Sequence, residues 1–378
     1  MAIKFFGTLG PSDITTTRTL LHETIPITGS ILSGTYYEAN PGASVFGGET
    51  NVKNYSHGMF QAVYDYPYLS SSANHIFDIA MGYSSTSVMS ASTSVENAKK
   101  INMYNMFAQT LLGYTVSGAI EIPESDLIIT DDDAQMREVF FVNFSRLLMK
   151  DQIKRGTFSI SLITGSTSLA PDLRGKTSLP ITKLRDVSAS NIAGTADCPA
   201  GDYGLLFSSP LTAAAQGLIF YQAGCAMITA SMFATNSAAA ASGRGDRENL
   251  DFTTNPDKPA GETYISISGA LKSLPMSSSC DEFRRRVGNL SFNNTTELNS
   301  TVYFCRAPAN KWNYSSNPTY TTGSKLRVKE VASDTPVSYI TTVGLYNANN
   351  ELLAVAKLSE PLKKDPSNEI TLRVRLDF

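Results

Sequence analysis

The closing ten residues, Glu369-Ile370-Thr371-Leu372-Arg373-Val374-Arg375-Leu376-Asp377-Phe378, alternate polar and apolar side chains up to the final position. Period-two alternation puts every apolar side chain on one face of an extended strand, and that face has to be docked in a sheet. The pattern recurs over residues 157–165, 297–306, 325–331, 338–346 and 352–358. The last two flank Asn347-Ala348-Asn349-Asn350, a turn composition that joins antiparallel neighbours. Antiparallel sheet is therefore the framework to which every other segment must be fitted.

Two segments read as helices. Over 95–112, Val95, Ala98, Ile101, Tyr104, Ala108 and Leu111 recur near helical spacing, and Gly113 supplies the stop. Over 276–287, a serine N-cap within Ser277-Ser278-Ser279 precedes Asp281 and Glu282 in the first turn, with an end near Gly288. Residues 136–149 are apolar on every side, so this helix or strand belongs at the centre of a core. Residues 203–243 hold no Asp, Glu, Lys or Arg, and the clusters Leu218-Ile219-Phe220-Tyr221 and Met227-Ile228-Thr229-Ala230 flank Gln222-Ala223-Gly224. A membrane span needs about 20 mostly apolar residues. Gln216, Gln222 and several glycines interrupt this run, which points to paired buried strands and no membrane partner. Residues 14–37 read as short strands or an extended arm, 166–200 as loops, and 236–245 as a flexible stretch. The fold class that follows is α+β, mainly β, with antiparallel sheets and two or three helices. Three regions are expected: a mixed α/β region 1–155, a β-rich central region with loops 156–270, and a C-terminal antiparallel β domain 271–378.

The 378 residues suffice to bury cores without disulfides or metals. Cys198, Cys225, Cys280 and Cys305 lie too far apart for paired zinc spacing and read as buried free thiols of a chain made in a cytoplasm. A balance of 31 Lys+Arg against 34 Asp+Glu, without a dense basic block, argues against a nucleic-acid groove. Arg284-Arg285-Arg286 reads as a solvated helix face or as intersubunit ion-pair donors. His22, His57 and His75 are the only histidines, which starves general-base and metal chemistry; the spacing of His57 and His75 from Asp78 specifies no site. Asp131-Asp132-Asp133 lacks the alternating ligands and the glycine of a calcium loop, and reads as the acidic first turn of a helix before Met136. Gly243-Arg244-Gly245-Asp246 lacks the context of a phosphate cradle, and its Arg-Gly-Asp reads as chance. No Gly-x-Ser-x-Gly elbow is followed by a histidine. The expectation is a chain with no catalytic residues, no metal and no cofactor, and not an enzyme.

Several stretches carry a resemblance: Asn313-Tyr314-Ser315-Ser316-Asn317-Pro318-Thr319, Val337-Ser338-Tyr339-Ile340-Thr341-Thr342-Val343-Gly344-Leu345-Tyr346-Asn347, and the run from Asn350 through Leu352-Leu353-Ala354-Val355-Ala356-Lys357-Leu358 to Lys364. Phe144-Ser145-Arg146-Leu147-Leu148, Ile153-Lys154-Arg155-Gly156-Thr157-Phe158 and Gly217-Leu218-Ile219-Phe220-Tyr221-Gln222-Ala223-Gly224 add to it. In these the chain resembles virion structural proteins of contractile-tailed marine phages, including those of cyanobacteria. The resemblance touches most of the chain and is most specific after about residue 300. It implies a particle component of the tail or baseplate, present in symmetric copies, whose partners are copies of itself and other virion proteins. It implies no activity.

Composition is compatible with that expectation. Charged residues make up 17% of the chain, against roughly 25% in ordinary globular proteins, which leaves less electrostatic protection from association. Tyrosines offer rigid amphipathic contact area. Tyr64, Tyr66 and Tyr68, in a stretch that Pro67 keeps out of helix interiors and central strands, are interface candidates together with Trp312, Tyr314 and Tyr320. Two other roles fit the same composition: a receptor-binding, fibre-like adhesion module, although no repeat is visible, and a capsid or decoration protein.

Overall fold

A computed structural model describes residues 7–28, 50–91, 94–128, 134–163, 181–190, 194–208, 215–233, 275–315, 317–323, 325–326, 331 and 333–378. Contacts gather the chain into two units: His22–Thr296, and Met1–Leu21 together with Glu297–Phe378. The chain crosses between them inside two strands, β1 (Ile14–Thr28) and β13 (Val287–Ala307). These units are drawn differently from the three sequence regions.

The larger unit contains β2 (Val52–Asn54), β3 (Gln61–Tyr64), β4 (His75–Tyr83), helix α1 (Val95–Leu111), β5 (Glu138–Phe144), the short helix α2 (Arg146–Met149) and β6 (Gln152–Ile153). It continues through β7 (Ser159–Ile163), β8 (Ile181–Arg185), β9 (Thr195–Cys198), β10 (Gly201–Ser208), β11 (Gly217–Phe220), β12 (Cys225–Thr229), helix α3 (Met276–Arg286) and the start of β13. Its sheet runs β13-β7-β8-β10-β11-β12-β5-β4-β3-β2, with β9 on β10. Residues 181–229 thus share one sheet with β4 and β5. The fold is mainly β, as the alternation requires.

β5 settles why its sequence is apolar on both phases. Phe140 stacks on Phe283 of α3 at 4.7 Å, and Phe141 stacks on Phe107 of α1 at 4.2 Å. Successive strand residues face opposite ways, so the two helices cover opposite faces of the sheet at β5. Helix α1 starts at Ser94, whose side chain accepts the Asn97 N–H, and stops at Gly113, whose backbone has φ +90°. It lies so close to β4 that a Cβ on Gly82 would come within 2.8 Å of the Lys100 carbonyl. The β11–β12 hairpin forms over the uncharged interval, with all nine of its strand residues buried. Its turn glycine, Gly224, has φ +67° and sits against Met149.

In the smaller unit, β14 (Thr321–Thr322) pairs with β15 (Lys325–Leu326), β16 (Ser338–Tyr346) with β17 (Leu352–Lys364), and the end of β13 with β18 (Ile370–Asp377). The closing alternation docks along β13 from Ser300 opposite Asp377 to Ala307 opposite Ile370, and buries Val374. The β16–β17 turn is closed by the Asn347 N–H on the Glu351 carbonyl at 3.0 Å, with Asn350 at φ +63°.

Several expectations need correction. The 166–200 stretch contains β8 and β9, short strands stabilised by pairing with β7 and β10 rather than by their own composition. The N-cap of α3 is Pro275, and the Ser279 hydroxyl bonds back to the Pro275 carbonyl. Arg284 and Arg286 are buried, not solvated: Arg284 donates to Asp281 at 3.1 Å and to Gln61 at 3.3 Å, while Gln61 donates to Asp281 at 2.6 Å. Residues 14–28 form one strand. Asp131–133, Gly243–Asp246 and 236–245 lie outside the described residues, and the element after the acidic triplet is strand β5.

The main apolar core lies entirely in the larger unit. Among the described residues of the smaller unit, the buried apolar side chains are Val302, Ala307 and Val374, accompanied by the polar Ser300, Thr301, Ser338 and Lys364.

Candidate interaction surfaces

In the smaller unit, Trp312 occupies the left-handed region at φ +56° and is half-buried. Its indole covers Gly7, where a Cβ would come within 3.0 Å of Cη2. The loop around it anchors the base of the β16–β17 ribbon, where Ser338 stands opposite Lys364. Ser338 Oγ donates to the Trp312 carbonyl, and the buried Lys364 Nζ donates to Asn313 Oδ1 at 2.8 Å, the Asp365 carbonyl at 2.8 Å and the Ala309 carbonyl at 3.3 Å. Three oxygens around one ammonium offset its desolvation. Tyr314 and Tyr320 are half-buried nearby in sequence. Trp312 thus packs within its own unit.

Beyond that base the ribbon stands uncovered. Tyr339 is 55% exposed, Leu353 68% and Val355 53%, with Tyr346, Leu352 and Leu362 also exposed. On one face Val343 and Leu345 stand opposite Ala356 and Ala354; on the other the Tyr346 ring lies over Gly344 and against Leu352. The sequence reading found both strands and their turn, yet did not single these residues out. The signal was there: the nine residues of β16 carry no charge, and apolar residues occupy both phases.

In the larger unit, Tyr64, Tyr66 and Tyr68 sit at the end of β3 and in the loop after it, beside the edge strand β2. Tyr66 and Tyr68 are exposed and Tyr64 is half-buried. The Tyr64 ring meets Tyr68 at 6.3 Å and His75 at 5.5 Å. A second group, Tyr55, His57 and Phe60, packs with centroids 4.9–5.2 Å apart. Burial and a hydrogen bond with Tyr55 raise the Tyr64 hydroxyl pKa above its ordinary value. His75 Nε2 meets Asp78 Oδ1 at 2.8 Å, whereas His57 is elsewhere: its Nδ1 accepts the Met59 N–H. His22 Nδ1 lies 3.2 Å from Thr295 Oγ1.

The strongly perturbed groups are interior ones, apart from the Cys198 thiol, which like Cys305 is half-buried where the sequence predicts a buried thiol. Burial pushes Asp186 up to about 6, although the Gly156 N–H at 2.7 Å and the Tyr221 hydroxyl at 3.0 Å both donate to its Oδ2. Burial lowers Lys100 to about 8 and raises the Cys198 thiol to about 11 and the Cys225 thiol to about 12. Such thiols are held away from their reactive thiolate form. Among the described residues, no three His, Cys, Asp or Glu side chains gather as a metal cage, and no helix is long and apolar enough to cross a membrane. No protein-family profile matches this chain, and neither a curated protein nor a solved structure does so.

Proposed function

We propose that this chain is a structural subunit of a tailed-phage particle, in the tail or baseplate assembly, that acts through protein–protein contacts and not through catalysis. The observation that carries this reading is the imbalance of the smaller unit. Among the described residues its buried apolar side chains are three, while Tyr339, Tyr346, Leu352, Leu353, Val355 and Leu362 are exposed on one ribbon. A two-stranded ribbon is marginal alone in water, and fully burying an exposed Leu or Val contributes about 1.5–3 kcal/mol. The ribbon gains most by being covered, and a particle interface covers it. The dispersal of perturbed groups into the interior, with His22 and His57 in structural bonds, further supports an architectural role.

The test is immunogold microscopy of intact particles with an antibody against residues 271–378. Gold at the tail tip or collar supports the reading; gold on the head moves the protein to the capsid. Absence of the protein from purified particles overturns the structural role.

A second reading, adhesion to a receptor, is favoured by the aromatic group of Tyr55, His57, Phe60, Tyr64 and Tyr68 with His75 and Asp78 beside it. Gold on distal fibres, together with retention of the recombinant protein on a glycan array, supports it over the first.

A further inference from the structure

We infer that the outer edge of β16, over residues 338–345, pairs with β16 of a second copy of this chain, making a four-stranded sheet from two ribbons. The inference rests on the subunit reading and names one partner of that same ribbon. It starts from an asymmetry between the two edges.

Proteins guard exposed strand edges with lysines, prolines and bulges. β17 has all three. Its sequence carries Lys357, Glu360, Pro361, Lys363 and Lys364, and its register with β16 jumps between Thr342 opposite Lys357 and Ile340 opposite Leu362. The chain thus bulges over residues 358–361, where Pro361 also lacks a donor. β16 has none of these devices. Its nine residues, Ser-Tyr-Ile-Thr-Thr-Val-Gly-Leu-Tyr, include no charge and no proline, and among the described residues its one strand partner is β17. Among the described residues no second strand lies along 338–345 on the side away from β17, which leaves that edge where a further strand adds.

Charge selects the occupant. Two β16 strands related by a two-fold axis meet antiparallel with no ionised side chain on either, so self-pairing carries no like-charge cost. A two-fold pairing through β17 centred near Glu360 sets Lys357 of one copy opposite Lys363 of the other, with the two Glu360 side chains together at the axis. The β16 pairing also continues the apolar face, since Val343 and Leu345 of each copy come to lie in the middle of the joined sheet and not at its margin.

The experiment is sedimentation of the full chain over a wide concentration range, for wild type and for Thr341→Lys, which adds a charge at an exposed position of the edge. Wild type is expected as a dimer, and Thr341→Lys weakens it about ten-fold or more with an unchanged melting curve. Because a variant can lose association by unfolding the ribbon, a second variant, Thr341→Cys, is oxidised: a disulfide between introduced thiols, identified by mass spectrometry, requires two β16 strands side by side. Lys357→Ala is expected to leave the dimer intact. A wild type that stays monomeric at every soluble concentration overturns the inference, as does a dimer indifferent to Thr341→Lys that forms no such disulfide. Either result leaves the subunit reading to the particle labelling, and a dimer absent from particles would sink that reading while sparing this one.

Discussion

The two units of this chain solve the same problem with opposite means. The larger one lays helices on both faces of a long antiparallel sheet and buries aromatic pairs such as Phe140 on Phe283. The smaller one is held by strand pairing and by polar anchors such as Lys364, with three buried apolar side chains among the described residues. A unit of the first kind is stable by itself. One of the second kind leaves apolar surface exposed. The contrast teaches that the packed apolar core and the exposed apolar ribbon lie in different parts of one chain.

The sharpest way to break this comparison is to cut into each part. Phe140→Ala should destabilise the chain by about 3–5 kcal/mol, the usual cost of emptying an aromatic site, seen as a lower denaturant midpoint; a loss below 1 kcal/mol would mean that the larger core is loose. Asp186 gives the next effect. Burial holds its carboxyl up at about 6 in the folded chain against an ordinary value of about 3.8, so its contribution is fully present below about pH 4 and is lost as pH rises through about 6. The total is on the order of 3 kcal/mol. Asp186→Asn should flatten the stability profile between pH 4 and 6, and an unchanged profile would remove Asp186 as its source.

Lys364→Met in the smaller unit should cost about 1–3 kcal/mol, because the Asn313, Ala309 and Asp365 oxygens lose their shared donor. Leu353→Ser is the mildest for the isolated chain, within about 0.5 kcal/mol at an exposed site. It should nevertheless reduce incorporation into particles. If Leu353→Ser unfolded the monomer as Phe140→Ala does, the division of labour between the units would fall.

Local signals carried much of the fold. The α1 helix up to Gly113, the β11–β12 hairpin, the Asn-rich β16–β17 turn and the docked last strand each rest on periodicity or turn chemistry within a short window. What stayed hidden depends on distant residues. β8 and β9 are strands because β7 and β10 lie beside them, and Arg284 is buried because Gln61, far away in sequence, meets its guanidinium. The aromatic candidates were chosen by residue type. Structure spreads them over both units, with Trp312 packed on Gly7 and Tyr66 exposed. Alternation found the ribbon but could not tell whether anything covered it, which is a property of neighbours and not of the strand.

The discontinuity of the smaller unit sets an order of events during synthesis. Its two pieces, ending at Leu21 and resuming at Glu297, are separated by the whole larger unit. At roughly 5–20 residues per second, the ribosome needs on the order of tens of seconds to span that interval. Throughout that time the early half of β1 has no smaller unit to join, and its Thr-rich, Arg-bearing sequence, Ile-Thr-Thr-Thr-Arg-Thr, keeps it solvated. The β16–β17 ribbon is therefore completed only after the larger unit has emerged, so a nascent chain does not expose the apolar side chains of that ribbon before the larger unit has been made.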